Sequence, residues 1–254
     1  MADRQRQAAI VTGGAKRIGR AVVKDLAARG HGVAIHCHRS REAADELAAR
    51  IVADGGQAAV IVADLSDTDS VSQIVPEAEA ALGPIGILVN NASQFEPDSA
   101  DAVDPALFER QMRINLLAPC RLAGDLAARL PDGGEGVVIN ILDQRVWRLT
   151  PTFFSYTLSK SALWTATRTM AQTFAPRVRV AAIGPGPTLP NARQRPRDFA
   201  LQATSVLLGH GPTLEEVAAA VRFIVDSPSY TGQMLALDGG QHLAWATADA
   251  TAPE

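Results

Sequence analysis

Short runs of β-branched and other apolar residues alternate along the chain with longer stretches in which apolar and charged residues recur at helical spacing. The apolar runs predict seven strands, at residues 8–13, 32–38, 57–67 (running into a helix start), 86–93, 135–142, 177–187 and 233–240. The longer stretches predict helices, among them residues 17–29, 41–56 and 105–130. Pro105 suits the first turn of the last of these helices, and Ser66 or Asp67 can cap the helix after the third strand.

Buried strands that alternate with helices are typical of a parallel sheet covered on both faces. The sequence therefore predicts an α/β fold, a single Rossmann-type, doubly wound parallel sheet of seven strands with helices on both faces. No linker or block of charge divides residues 1–254, so one domain is expected. Ligands of such sheets bind at the carboxyl ends of the strands, and each motif described below directly follows a predicted strand.

The composition argues against several classes of protein. The formal net charge of -3 and pI near 6.0 give no basic surface of the kind that binds nucleic acid. No apolar run is long enough to span a bilayer, and residues 1–7 lack the hydrophobic stretch of a signal peptide. Two cysteines, Cys37 and Cys120, are too few for a disulfide framework or a cysteine-based zinc site, so no metal is expected. A cytoplasmic protein that acts on a small molecule, without a membrane partner, is the resulting expectation.

The segment "TGGAKRIG" (12–19) joins the first predicted strand to the first helix. Gly13, Gly14 and Gly19 permit a tight turn, and the start of the helix presents free N–H groups to a pyrophosphate. Such turns also occur for packing reasons alone. Its place at the start of a βαβ pattern favours nucleotide binding.

The end of the second strand, "HCHRS", distinguishes between cofactors. An acid here would bind the ribose hydroxyls of NAD, whereas a basic residue accommodates the 2′-phosphate of NADP. The chain has His38, Arg39 and Ser40, with no acid before Glu42. Arg39 is either a phosphate ligand or a solvated loop residue. Together with the glycine-rich turn, a basic residue at this position favours NADPH over NADH. Asp64, after the third strand, either binds the adenine amino group or caps a helix.

Tyr156 and Lys160 lie four positions apart, so both project from one face of a helix. A cation beside a phenol lowers the pKa of the phenol toward the range useful for proton transfer. This spacing is common by chance, but its position after the fifth predicted strand makes a catalytic role more credible.

Asn115 lies inside the long predicted helix. It is either a surface amide or a buried polar hinge that binds water for a proton relay.

These motifs together resemble the short-chain dehydrogenase/reductase family over essentially the whole chain: "TGGAKRIG", "NNAS", Asn115, "YTLSK" and "IGPGPT" occur in that order. Within the family the chain is similar to the pteridine reductases, including dihydromonapterin and dihydrofolate reductase-like members. The similarity rests on "KRIG", "HCHRS", "NNASQF" and Asp143 where most members have Ser. It implies a homotetramer in which the 105–130 helix and the Tyr156 helix pack against their symmetry mates.

The resemblance also implies which residues contact each ligand. Arg17, Ser93, Asp143 and Tyr156 would line the pterin site, with Phe95 stacked on the ring. The region 187–211, which shapes the substrate pocket in these enzymes, shows no close match. The residues implied for the cofactor are Gly13, Arg17, Ile18, Gly19, His38, Arg39, Ser40, Asp64, Leu65, Asn91, Ala92, Ser93, Tyr156, Lys160, Pro185 and Gly186.

The acid at position 143 indicates the chemistry. An ionised Asp cannot donate a hydrogen bond and repels a developing alkoxide, which disfavours simple ketones. It can accept from pterin N–H groups and from Tyr156, raising the pKa of the phenol while Lys160 lowers it. We therefore expect hydride transfer from NADPH to a C=N carbon, with protonated Tyr156 supplying a proton to a ring nitrogen. Alternatively, Asp143 is an acid on a surface loop and is slightly offset from the position where most family members have Ser.

Two other functions remain open. A generic carbonyl or 3-oxoacyl-thioester reductase of the same fold would need Asp143 displaced or protonated. An inactive NADPH-binding regulator predicts the loss of Tyr156 or Lys160, and both are present.

Overall fold

A computed structural model describes residues 7–191 and 193–245, and its seven strands form one parallel sheet in the order β3-β2-β1-β4-β5-β6-β7. The reversal of strand order between β1 and β4 makes the sheet doubly wound. The predicted fold is confirmed. The strands are β1 (Ala8–Val11), β2 (Val33–Cys37), β3 (Ala58–Val62), β4 (Ile85–Asn90), β5 (Gly136–Ile141), β6 (Val178–Pro185) and β7 (Met234–Leu237).

In the described ranges, eight α-helices connect and cover these strands. Asp67, rather than Ser66, caps α3, because its side chain accepts a hydrogen bond from the backbone N–H of Asp69 at 3.1 Å. Pro105 opens α4 as predicted. The helices are α1 (Arg17–Ala28), α2 (Arg41–Ala53), α3 (Thr68–Leu82), α4 (Pro105–Met112), α5 (Ala118–Arg129), α6 (Phe154–Phe174), α7 (Pro196–Thr204) and α8 (Leu214–Asp226).

The sheet is buried on both faces, which explains why its strands read as continuous apolar runs. Alternate side chains enter two cores: Ile10 packs with residues of α3 and α5, and the next residue, Val11, packs with residues of α1, α2 and α8. Helix α6 contributes Met170 to the first core. This packing fixes the carboxyl ends of β1 to β6, where the predicted motifs lie.

The long helix predicted over residues 105–130 is interrupted by a π-helical turn at Arg113–Leu117, between α4 and α5. A π-helical turn holds one residue more than an α-turn, and such turns are frequent at functional sites. The turn buries Asn115 completely. The alternative in which Asn115 is a surface amide is therefore wrong.

Within residues 7–191 and 193–245, no helix is long and apolar enough to cross a bilayer. The same residues contain no group of three or more His, Cys, Asp and Glu side chains arranged to hold a metal ion. Residues 1–6, on which the expectation about a signal peptide mostly depends, lie outside the described part of the chain.

Candidate active site

A cavity of about 1100 Å³ opens at the carboxyl ends of the strands. Its wall contains every residue that the sequence analysis assigned to cofactor or substrate, from the glycine-rich turn to Pro185 and Gly186. Asn115 alone among the predicted site residues is absent from the wall. The fold thus brings together motifs that are up to 173 positions apart, such as Gly13 and Gly186.

The glycine-rich turn is shaped for close approach by a ligand. Gly13 has a φ of +63°, in the left-handed region that favours glycine. A Cβ on Gly19 would overlap the Gly13 carbonyl, so glycine is required there as well. The neighbouring β4 end is tied to this turn, because Asn91 donates from Nδ2 to the Thr12 carbonyl at 2.8 Å. The turn is a rigid cradle at the N-terminus of α1.

His36 on β2, which the sequence analysis missed, holds the backbone of this cradle at Gly13. Its Nδ1 accepts from the Gly13 N–H at 3.2 Å, and its Nε2 lies 3.2 Å from the Ala63 carbonyl. Burial lowers the pKa of His36 to about 4, so the ring is neutral with its proton on Nε2. A His between two apolar residues, Ile35 and Cys37, was the available signal.

The residues that follow β2 and β3 form the part of the cavity wall next to the glycine-rich turn. In the described part of the chain, no hydrogen bond or ion pair engages the guanidinium of Arg39, which is exposed. Asp64 accepts hydrogen bonds from the backbone N–H and the hydroxyl of Ser66 and lies 3.7 Å from His38 Nε2. Because Asp67 caps α3, the helix-cap alternative for Asp64 is wrong. Arg39 is a cation available to an anionic ligand.

Tyr156 and Lys160 lie on one face of α6, and both are buried, with exposures of 6% and 2%. The Tyr156 hydroxyl donates to Asp143 Oδ2 at 3.1 Å. Lys160 Nζ donates to the Ile141 carbonyl at 2.8 Å and lies 5.8 Å from the centroid of the tyrosine ring. The phenol therefore contacts the acid directly, and the lysine is anchored to the end of β5.

Asp143 has a second partner that the sequence analysis missed. Its Oδ1 accepts from the backbone N–H of Arg145 at 2.9 Å, and its Oδ2 forms a 3.0 Å ion pair with Arg145 Nη1. Both side chains are largely buried, at 17% exposure for Arg145 and 15% for Asp143. The spacing Asp-x-Arg was the available signal, because an acid at the start of a turn reaches groups two residues later. The carboxylate is thus held between a guanidinium and the phenol, so the alternative of a loop acid pointing to solvent is wrong.

These neighbours determine the protonation of the phenol. Burial raises the pKa of Tyr156 well above its usual value, the charge of Asp143 raises it further, and Arg145 lowers it. The cation that opposes the acid is therefore Arg145, not Lys160 as predicted. Burial lowers the pKa of Lys160 to about 8, with the charge of Asp143 acting in the opposite direction. At neutral pH Tyr156 is a neutral hydrogen-bond donor, as expected.

The side chain of Asn115 holds the loop that follows β4. Its Oδ1 accepts from the Gln94 N–H at 2.8 Å and from the Ser93 hydroxyl at 3.1 Å. Its Nδ2 donates to the Gln94 carbonyl at 2.9 Å and to the Ser159 hydroxyl at 3.0 Å. Both N–H donors and both acceptor positions of the amide are therefore occupied by protein groups. No position of this side chain is free to bind the water that the prediction assigned to it. Asn115 is a buried hinge that positions Ser93 and Gln94 against α6.

Phe95 lies in an aromatic cluster. Its ring stacks on Phe153 with centroids 4.1 Å apart and planes at 10°, and it meets Tyr156 edge-on at 4.6 Å. Phe153, which sequence reasoning missed, precedes α6 with a φ of 58°. The Phe95 ring that was expected to stack on a substrate thus has a protein ring on one face.

Residues 187–191 and Arg193 close one side of the cavity. Arg17 donates to the carbonyls of Pro190 at 2.7 Å and Leu189 at 3.2 Å. Arg193 pairs with Glu96 at 2.7 Å, which ties the segment to the loop after β4. Arg17 lines the cavity as predicted, but its hydrogen bonds are made to this segment. The region without a close sequence match therefore supplies part of the substrate wall.

Comparison with known proteins agrees with this geometry. The family model for short chain dehydrogenase matches residues 7–199. FolM alternative dihydrofolate reductase 1 from Brucella suis, solved in complex with NADP, is 53% identical, with a TM-score of 0.93 over 96% of this chain and 98% of its own. A blue fluorescent protein from a metagenomic library, solved with NADPH, is 33% identical, with a TM-score of 0.85 over 92% of this chain and 97% of its own.

A curated relative shows the same extent of similarity. The 3beta-hydroxysteroid dehydrogenase 1 of Eggerthella lenta is 33% identical over 253 residues, which cover 95% of each chain. The family-model match, over residues 7–199, spans the glycine-rich turn, the loop after β4 and the Tyr156 helix. The chain belongs to the short-chain dehydrogenase/reductase family, a family of oxidoreductases, and its similarity within that family is to the pteridine and dihydrofolate reductase-like members.

Proposed function

We propose that this chain forms one NADPH-dependent reductase domain that reduces a C=N bond of a pteridine of the dihydrobiopterin, dihydromonapterin or dihydrofolate type. The observation that carries the proposal is the carboxylate of Asp143, held inside the cavity by Arg145 and by the hydroxyl of Tyr156. The 53% identity to a dihydrofolate reductase-like protein solved with NADP supports the same assignment.

The cavity fits NADPH. The cradle around Gly13 and Gly19, which a Cβ would fill, suits the pyrophosphate at the N-terminus of α1. Arg39, without a partner in the described part of the chain, suits the 2′-phosphate. Lys160 and the loop containing Asn91 complete the wall on the side of Tyr156. When bound, NADPH supplies the hydride.

The side chains supply the proton. Tyr156 is neutral at neutral pH and donates its proton to a ring nitrogen of the substrate. Arg145, whose charge lowers the pKa of the phenol, stabilises the phenolate that remains until the hydroxyl is protonated again, and the ammonium group of Lys160 lies 5.8 Å from the ring centroid on the same wall. Asp143 orients the hydroxyl and accepts from N–H groups at the substrate edge.

The same acid argues against a generic carbonyl or 3-oxoacyl-thioester substrate. Reduction of a carbonyl develops negative charge on oxygen, and Asp143 would place a second negative charge beside it. An imine-type ring nitrogen is more basic than a carbonyl oxygen, so it can take its proton before or together with the hydride, and no negative charge then develops beside the carboxylate. The regulator alternative is disfavoured because Tyr156 and Lys160 are both buried in the same cavity.

A substrate panel tests the proposal. Reduced pterins, dihydrofolate, simple ketones and a 3-oxoacyl thioester are each assayed for NADPH oxidation by the purified protein. We expect turnover of at least one pterin with a kcat/KM above that of every carbonyl compound. A higher kcat/KM for a ketone or thioester would overturn the pteridine assignment, and no NADPH oxidation with any compound would favour the regulator.

Arg39 is expected to determine the choice of cofactor. NADPH should bind tighter than NADH by about tenfold or more, which corresponds to ~1.4 kcal/mol. Arg39→Ala should remove most of this preference and leave NADH binding unchanged, because NADH lacks the 2′-phosphate. Dissociation constants measured by fluorescence titration check both statements. Arg41→Ala is the control, since Arg41 pairs with Asp45 at 3.4 Å and does not line the cavity. Equal affinities of the wild type for both cofactors would refute this role.

We also infer a homotetramer in which α4, α5 and the π-helical turn pack, together with α6, against symmetry mates. Two leucines on these elements are exposed in the single chain, Leu117 at 48% and Leu158 at 40%, and burial of such side chains favours association. Light scattering at micromolar concentration should therefore give a mass of four chains. A monomeric mass would exclude this assembly.

A further inference from the structure

Arg110 on α4 lines the large cavity, although no motif pointed to it. Its side chain is half-buried, and in the part of the chain that the structure describes no hydrogen bond or ion pair engages its guanidinium. A guanidinium has five N–H donors and no acceptor. Arg110 is therefore a cation at the cavity wall whose donors remain for a ligand.

The position of Arg110 on its helix directs it toward the cavity. Ile114, four positions later in the π-helical turn, lines the same cavity, so the two residues share one side of this helical segment. Arg113, only three positions after Arg110, is exposed and is not part of the cavity wall. One side of the segment thus presents an apolar side chain and a cation to a ligand.

Asp64, after β3, offers the complementary group. Its Oδ1 accepts from the N–H and the hydroxyl of Ser66, so Oδ2, which lies 3.7 Å from His38 Nε2, remains for a ligand. Although burial raises the pKa of Asp64, hydrogen bonds from Ser66 and the charges of His38 and Arg110 lower it below its usual value. Asp64 and Arg110 thus sense each other electrostatically but form no ion pair, and a group that both donates and accepts fits between them.

Adenine carries this combination of groups on one edge. Its exocyclic amino group donates and its ring nitrogen N7 accepts, which is the pattern by which proteins recognise adenine in the major groove of DNA. The cradle at Gly13 suits the pyrophosphate of NADPH, and Arg39 suits the 2′-phosphate. The adenosine half of the cofactor therefore lies beside the ends of β2 and β3, where Asp64 is placed.

We propose that Arg110 is a cofactor-binding residue that donates to adenine N7 while Asp64 accepts from the adenine amino group. Ile114 packs on the face of the ring from the same side of the helical segment. The two polar side chains together select adenine among the bases that could occupy this end of the cofactor. This inference rests on the cofactor of the proposed function and does not depend on which substrate is reduced.

Arg110→Met tests the proposal, because methionine removes the guanidinium and keeps much of the aliphatic side chain. The dissociation constants of NADPH and NADH, measured by fluorescence titration, should both rise by about three- to thirtyfold, the loss expected for one charge-assisted hydrogen bond. Their ratio should stay at the wild-type value, since both cofactors carry adenine. Adenosine 2′,5′-bisphosphate, which lacks the nicotinamide half, should weaken by the same factor. Arg113→Met is the matched control and should bind all three ligands like the wild type.

A modified ligand identifies the atom. The 7-deaza analogue of adenosine 2′,5′-bisphosphate has a C–H group in place of N7, so the wild type should bind it more weakly than the parent compound, and Arg110→Met should bind the two equally. A loss of affinity confined to NADPH would make Arg110 a second ligand of the 2′-phosphate and overturn the inference, as would unchanged affinities in Arg110→Met. Failure of the wild type to bind NADPH would instead overturn the proposed function together with this inference.

Discussion

Replacement of Tyr156 by Phe should lower kcat for pterin reduction by about 10²- to 10⁴-fold, the range that a positioned general acid contributes. The substitution removes only the hydroxyl that donates to Asp143 and keeps the ring that contacts Phe95. Because burial and Asp143 raise the pKa of this phenol, its proton is retained at neutral pH and is available to the substrate. Single-turnover rates with NADPH in excess measure the effect on the chemical step.

The chain supplies a matched control for this experiment. It contains two tyrosines, and the second, Tyr230, packs edge-on against Phe223 outside the cavity wall. Tyr230→Phe should turn over like the wild type. NADPH binding should be similar in all three proteins, since loss of one hydroxyl leaves the glycine-rich cradle and Arg39 in place. A Tyr156→Phe rate within about tenfold of wild type would show that another group supplies the proton.

Asp143→Asn should lower pterin turnover by about ten- to a thousandfold, or ~1.4–4 kcal/mol of transition-state stabilisation. The variant preserves the shape of the side chain, removes its charge and introduces an N–H donor. It also deprives Arg145 of its ion pair and the Tyr156 hydroxyl of its charged acceptor. Steady-state kinetics with the active pterin check this expectation, and NADPH affinity should be nearly unchanged.

Asp143→Ser separates the two classes of substrate. A serine hydroxyl can donate to a developing alkoxide, so ketone reduction should rise from a negligible baseline while pterin turnover falls. Asp101→Asn, at an exposed loop acid outside the cavity wall, should match the wild type on both substrates. Full pterin activity in Asp143→Ser, or strong ketone reduction by the wild type, would remove the reason to prefer a pteridine.

The fold and the positions of the cavity residues were predictable because each depends on local pattern. Strands buried on both faces appear as apolar runs, and parallel strands bring the residues that follow them to one edge of the sheet. Gly13, at the end of the first predicted strand, and Arg39, Asp143 and Tyr156, each after a predicted strand, consequently line one cavity.

Contacts between side chains were less predictable, because they depend on packing that no local pattern encodes. The four-residue spacing of Tyr156 and Lys160 places them on one face of α6. It does not reveal that the ammonium group donates to the Ile141 carbonyl or that Arg145 is the cation that lowers the pKa of the phenol. His36 was missed for a related reason, since its partners, Gly13 and Ala63, come from two other segments.

The π-helical turn Arg113–Leu117 contains one residue more than a regular helix would have at this position. Its additional residue rotates everything that follows by about 100° relative to an uninterrupted α-helix. Helix α4 packs against α6, whereas α5 packs mainly against α3. In genetic terms the turn is equivalent to one inserted codon, and removal of one codon would turn Asn115 away from Gln94. Alignment with a chain that has a regular helix here would therefore place a one-residue gap in the middle of the helix, beside the residue that anchors the loop after β4.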